Sequence, residues 1–347
     1  MAKMKPANRG FSLVEIMVAL VIGMIGVLVI MQVARTSEAQ KRMTTGSGDA
    51  QNNGALAIYS IQRDIKQGGY GFNAHELLRG CSLDASEANT VAAIELPDLK
   101  PITINPPAEW NLLPSGDTGA DTLLIVYGSS AGAPEGDTVV DDTYSNSDCY
   151  GIGSVGHFKD GDWAVAAPSS DSGTCELVMS EASLIKPGNI CPNANPDMDT
   201  TSTEVRNWVI VPAADGHKAV INDLLFNFGS ELKIIGYAIR DGQLTTCDYL
   251  AKPFIDCRER GNWLVVADGI VSLKAIAASS ATTGVSAIQL ALAVRNGEWN
   301  KDPVTTTAPT WSGGEIDLST LENWQNYRYQ IYETVVPLRN IPWMEKP

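Results

Sequence analysis

Glu15 is the first acidic residue of the chain, and it stands immediately before residues 16–34, which carry no charge and a single polar side chain, Gln32. An ionised carboxylate beside so apolar a run costs several kcal/mol unless a cation neutralises it, so Glu15 calls for a partner. The other candidates for chemistry are scattered. Six cysteines, Cys81, Cys149, Cys175, Cys191, Cys247 and Cys257, form an even set without a CxxC spacing, which suits disulfides in an oxidising compartment better than zinc or a redox motif. Sequence leaves their pairing open; the short separation makes Cys247 with Cys257 the first expectation, Cys175 with Cys191 a second, and Cys81 with Cys149 the remainder. The run Gly151-Ile152-Gly153-Ser154-Val155-Gly156 fits GxGxxG, but it follows SNSDCY instead of a buried strand and precedes HFKDGDW instead of a helix. His75-Glu76-Leu77-Leu78-Arg79 begins like a zincin helix and has Arg79 where the second histidine must stand. His157 and His217 are the only other histidines, and no P-loop or GxSxG elbow occurs. Asn195, Asp197 and Asp199 alternate as calcium ligands can, yet the glycine and glutamate of an EF-hand are out of place, and a solvated loop is the expectation. These residues point to no enzyme, no metal and no cofactor.

At 347 residues, 44% hydrophobic and 19% charged, the chain can bury a substantial core as one large domain or two modest ones. Its formal charge of -15 opposes attraction to phosphate backbones, so no nucleic acid is expected as a partner. Residues 67–347 hold 17 basic and 36 acidic side chains, placing the acidity beyond the apolar run.

At about 1.5 Å per residue, a helix over 16–34 spans roughly 28 Å, the thickness of a bilayer's hydrocarbon core. Lys3, Lys5 and Arg9 precede it without an acid, so the short N-terminal tail stays in the cytoplasm and every cysteine faces the oxidising side. A secretory signal cleaved before Gln40 would need to tolerate Arg35 and Glu38 between its apolar stretch and the cut. Beyond the span a polar-faced helix continues, with Gly54, Ala57, Ile58, Ile61 and Ile65 tracing one stripe and Leu56 and Tyr59 pointing elsewhere. Gly68-Gly69 stops it, Gly46 and Gly48 weaken its middle, and Gly23 and Gly26 allow local unwinding within the span. From about Gly71 short apolar runs alternate with turn residues, which reads as antiparallel sheet. The clearest strands are 122–127, 163–166, 208–211, 233–239, 263–266, 288–294 and 329–336, with Asp241-Gly242 as a hairpin turn. Residues 270–278 fit either a strand or a short helix, and 137–148, 194–204 and 299–314 read as long loops. The expected fold is therefore α+β: a long N-terminal helix, membrane-spanning in its first half, packed on a large antiparallel β-rich C-terminal domain.

The residues RGFSLVEIMVAL, Arg9 to Leu20, resemble the class III signal of type IV pilins and pseudopilins: a short basic leader ending in Gly, then Phe, Ser, Leu, Val, Glu and an apolar helix. The resemblance implies a leader at 1–10, a pilin helix at 11–67 and a periplasmic or extracellular domain at 68–347. It implies cleavage between Gly10 and Phe11 by a prepilin peptidase and N-methylation of Phe11. A side-chain-free Gly10 lets the extended backbone approach a protease closely. Glu15 would pair with the terminal ammonium of a neighbouring subunit's Phe11, which makes two groups costly in lipid tolerable together. Removing the leader takes the formal charge from -15 to -18.

A looser resemblance, to PilW-type minor pilins, rests on ADTLLIVYGS (120–129), SDCYG (147–151), IIGYAIRDGQLTTC (234–247), VVADGIVSLKAIAA (265–278), VSAIQLALAVRNG (285–297) and YRYQIYETVVPLRNIPW (327–343). It implies a minor pilin at or near the tip of a type IV pilus that primes assembly. Its partners would be the prepilin peptidase, the major pilin and other minor pilins, the inner-membrane assembly platform and a tip adhesin. Its location would be the inner membrane of a Gram-negative cell before assembly and the cell surface afterwards. A J-type pseudopilin of type II secretion, a membrane-anchored periplasmic binding protein or enzyme, and a DNA-uptake receptor are the alternatives.

Overall fold

The computed structural model describes residues 11–71, 78, 81–84, 95–114, 116–129, 136–141, 149–152, 158, 161–168, 174–179, 185–188, 206–210, 222–253, 255–280 and 284–340. One continuous α-helix, Leu13–Gln67, opens the chain. Its first part is exposed on all sides, and it is long and apolar enough to cross a membrane. From Ala50 onward one stripe turns inward: Ala57, Ile61 and Ile65 are fully buried. The helix ends as Gly68 donates its N–H to the carbonyls of Asp64 and Ile65, and Gly69 takes φ +79°, a conformation glycine adopts without strain.

That stripe packs on two antiparallel sheets. One has the order Leu264–Asp268, Gln243–Asp248, Lys233–Arg240, Leu123–Tyr127 and Ile102–Ile104; the other runs Ile270–Ser280, Gly284–Arg295 and Tyr329–Pro337. Asp241 and Gly242, both at positive φ, make the two-residue turn between Lys233–Arg240 and Gln243–Asp248. Residues 270–278, which fit two element types, lie in a strand because Leu273 and Ala275 face the helix-side core while Val271 packs on the opposite face.

Leu123–Tyr127 is buried at every position. Leu123, Ile125 and Tyr127 face the helix, while Leu124 and Val126 face a further layer, which is why this strand reads as an unbroken apolar run. The further layer is a nine-stranded sheet: Glu95–Leu96, Ser82–Asp84, Thr174–Met179, Trp163–Ala167, Leu224–Gly229, Asp137–Asp141, Cys149–Ile152, Arg206–Ile210 and Ile185–Gly188. Trp163, Val165, Phe226 and Phe228 fill the space between the sheets. Among the described pairings all are antiparallel except Ser82–Asp84 with Thr174–Met179.

Two expectations are corrected. Residues 137–148 do not form a loop throughout: Asp137–Asp141 is a strand, because Val139 is fully buried and its neighbours pair with Leu224 and Leu225. The pairs Cys81–Cys149 and Cys175–Cys191 do not form, because Cys81 is bonded to Cys175. The parallel ladder that sets Leu83 opposite Cys175 carries Cys81 to its partner. Cys247 is bonded to Cys257 across a separation of 10 residues. Residues 299–314 are loop except for a short strand, Thr310–Trp311, which pairs with Gly314–Glu315. Beyond it Ile316 and Leu318 cover Val271, Ala291 and Ala293. Gly10, Cys191, the three histidines, Asn195, Asp197, Asp199 and the whole of 194–204 lie outside the described residues; of the GxGxxG run only Gly151 and Ile152 are described, at the end of a strand.

Candidate functional site

The N-terminus of the helix is built by Ser12. Its backbone is extended, its Oγ accepts the Val14 N–H at 3.3 Å, and Glu15 Oε2 accepts the Ser12 N–H at 3.0 Å, a reciprocal capping box. Two N–H groups that begin the helix without intrahelical partners are thereby satisfied. Glu15 thus has a task within its own chain as well as a charge to offer, and the Ser12-x-x-Glu15 spacing is the signal that announces it. Phe11 is 84% exposed beside it. Phe11, Glu15, Leu20 and Gly23 border a shallow groove along the helix, apolar except at the carboxylate.

The second half of the helix ties this end to the β-region. Asp64 is 1% exposed at the interface with the five-stranded sheet. It accepts hydrogen bonds from Tyr237 Oη at 2.6 Å, Tyr127 Oη at 3.3 Å and Arg63 Nε at 3.0 Å. Burial first, and the Asp64 charge second, push both phenols well above the usual tyrosine range. Further bonds flank the anchor. Gln330 donates to Ser47 Oγ at 3.0 Å, Gln62 to Thr334 Oγ1 at 2.5 Å, and Asn340 to the carbonyls of Gln67 and Gly68 at 3.3 and 3.2 Å. Leu56 and Tyr59, off the inward stripe, stay exposed at 49% and 64%.

Tyr332 crosses the helix so closely that a Cβ at Gly54 would lie 2.3 Å from its ring. Gly54 is therefore a packing glycine in the stripe. Asp64 had no sequence signal, since a single acid on a polar-faced helix reads as solvated. Its burial depends on Tyr127 and Tyr237 meeting across two adjacent strands.

Elsewhere Arg240 is buried, stacks 3.7 Å over the Trp263 ring and donates to Thr245 Oγ1 and the Pro114 carbonyl. Burial, with Arg260 adding to it, lowers its pKa to about 10. Trp263 in turn donates to the Cys257 carbonyl at 2.7 Å, so this group braces the Cys247–Cys257 loop. Among the described residues no three His, Cys, Asp or Glu side chains converge as a metal site requires.

Residues 5–31 match the family model described as the prokaryotic N-terminal methylation motif, which supports a type IV pilin or pseudopilin, membrane-anchored and processed by a prepilin peptidase. No curated protein matches the chain, and neither does any solved structure.

Proposed function

We propose that this chain is a non-enzymatic minor pilin of a type IV pilus, of the PilW type, that sits at or near the tip and helps prime assembly. The observation that carries the reading is the N-terminal segment: a basic leader, Gly10, Phe11, a Glu15-capped helix start and an apolar span, matched by the methylation-motif family over residues 5–31. In this reading a prepilin peptidase cuts after Gly10 and the new amino group on Phe11 is methylated. The apolar span holds the subunit in the inner membrane, with its β-region in the periplasm. Glu15 keeps its Oε2 on the Ser12 N–H and offers its charge to the ammonium of an adjacent subunit's Phe11, a pairing strengthened by the low dielectric of lipid or a filament core. The major pilin, other minor pilins, the assembly platform and a tip adhesin are its partners.

The test separates capping from charge. Glu15→Gln keeps an acceptor for the Ser12 N–H and removes the charge, whereas Glu15→Ala removes both. If the charge docks the subunit, both variants are cleaved normally and both are lost from sheared filaments. Normal incorporation of Glu15→Gln overturns the docking role. Absence of the unaltered protein from filaments, with presence in a secretion-system preparation, transfers the reading to the pseudopilins.

A further inference from the structure

We propose that the N-terminal helix bends at Gly46–Gly48, and that the bend closes the segment just outside the membrane onto the near edge of the β-region. Thr44-Thr45-Gly46-Ser47-Gly48 places five weak helix formers in succession, two of them glycine. Gly46 has a packing reason, since a Cβ there would lie 2.3 Å from Asn296 Oδ1. Gly48 has none: a Cβ would meet nothing within 4 Å. A residue that weakens the helix and makes no close approach leaves a soft point between two firm lengths. On one side runs the apolar span. On the other, Ala50, Ala57, Ile61 and Ile65 are buried and Asp64 is anchored to two tyrosines.

The soft point adjoins a crevice into which the helix can move. Glu38, Lys41 and Arg42 line it from the helix, and Asp268, Arg295 and Glu298 line it from the β-region. Asp49, on the anchored side of the soft point, also lines the helix wall, so the charges that bending can move are two cations, Lys41 and Arg42, and one acid, Glu38, against two acids and one cation on the β-region. In the continuous helix no ion pair crosses the gap among the described residues: Arg42 reaches Glu38 on its own helix at 3.6 Å, and Arg295 lies 4.6 Å over the Tyr327 ring. Bending at Gly46–Gly48 brings Lys41 and Arg42 to Glu298 and Asp268 without disturbing the Asp64 anchor. The device gives the head a second orientation relative to its membrane half.

The full chain in detergent micelles, treated with a zero-length carbodiimide and mapped by mass spectrometry, tests this. Lys41 is expected to couple to Glu298 or Asp268. Lys233 with Asp248, already 2.6 Å apart, serves as the internal reference. Gly48→Ala, which fills open space, is expected to lower the Lys41 coupling about fivefold and leave the reference unchanged, the factor to which the Gly-to-Ala helix preference converts. Formation of the reference link without any Lys41 link overturns the proposal. Equal Lys41 yields in the unaltered and Gly48→Ala chains also overturn it, because long side chains alone would then span the gap.

Discussion

Replacing Tyr237 with Phe tests the helix anchor with the least collateral change. Tyr237 is 2% exposed, and its hydroxyl donates to Asp64 Oδ2 at 2.6 Å. Removing it leaves the ring packed and a buried carboxylate one donor short, with Tyr127 at 3.3 Å and Arg63 at 3.0 Å remaining. A hydrogen bond to a charged group contributes about 1.5–3 kcal/mol, so Tyr237→Phe should cost about 2 kcal/mol. The assay is urea unfolding of the full chain in detergent, followed by near-ultraviolet circular dichroism. The same anchor dictates a pH dependence. Tyr127, Tyr237 and Tyr249 are raised in the folded state from the usual 10.0, chiefly by burial. Their neutral forms are thus favoured by folding. The contribution is complete below pH 10 and is lost as pH rises from there toward the folded values, at about 1.4 kcal/mol per pH unit for each tyrosine. Tyr237→Phe should remove one tyrosine's share of that slope. A loss below about 0.5 kcal/mol, the usual scatter of surface changes, with an unaltered alkaline slope would refute the anchor.

Gly128 lies where the five-stranded sheet meets the nine-stranded one, and a Cβ there would be 2.5 Å from the Phe228 carbonyl oxygen. Gly128→Ala should cost about 1–3 kcal/mol by forcing two backbones apart, measurable in the same urea series. Replacing both cysteines of a bridge with Ser should cost more for Cys81–Cys175, which spans 94 residues, than for Cys247–Cys257, which spans 10. Chain entropy gives about 4.7 and about 2.7 kcal/mol respectively, and parallel unfolding curves of the two double variants give the order.

The elements legible in the sequence are those whose pattern is local. The helix declared itself through one apolar run and one stripe ending at Gly68-Gly69, and Asp241-Gly242 announced its hairpin because positive φ at both positions is a local demand. Asp137–Asp141 hid because two acids bracket Thr138-Val139-Val140, and only pairing with Leu224–Gly229 on one side and Cys149–Ile152 on the other makes a strand of it. The Cys81–Cys175 bond hid for a similar reason: it depends on a parallel ladder between segments remote in sequence. At the site, Glu15 stood out by its cost beside an apolar run; its capping role went unread, although Ser12 stands three residues before it as a capping box requires. Asp64 was not readable, since nothing in the helix marks an acid whose partners arrive from two strands.

The central claim is that Phe11 becomes the amino terminus. Intact mass and N-terminal sequence of the membrane-extracted protein, from cells with and without a prepilin peptidase, test it directly. The chain should begin at N-methylated Phe11 when the peptidase is present and at Met1 when it is absent. A start at Met1 in both, or at Gln40, would contradict it and restore the anchored or secreted binding-protein readings.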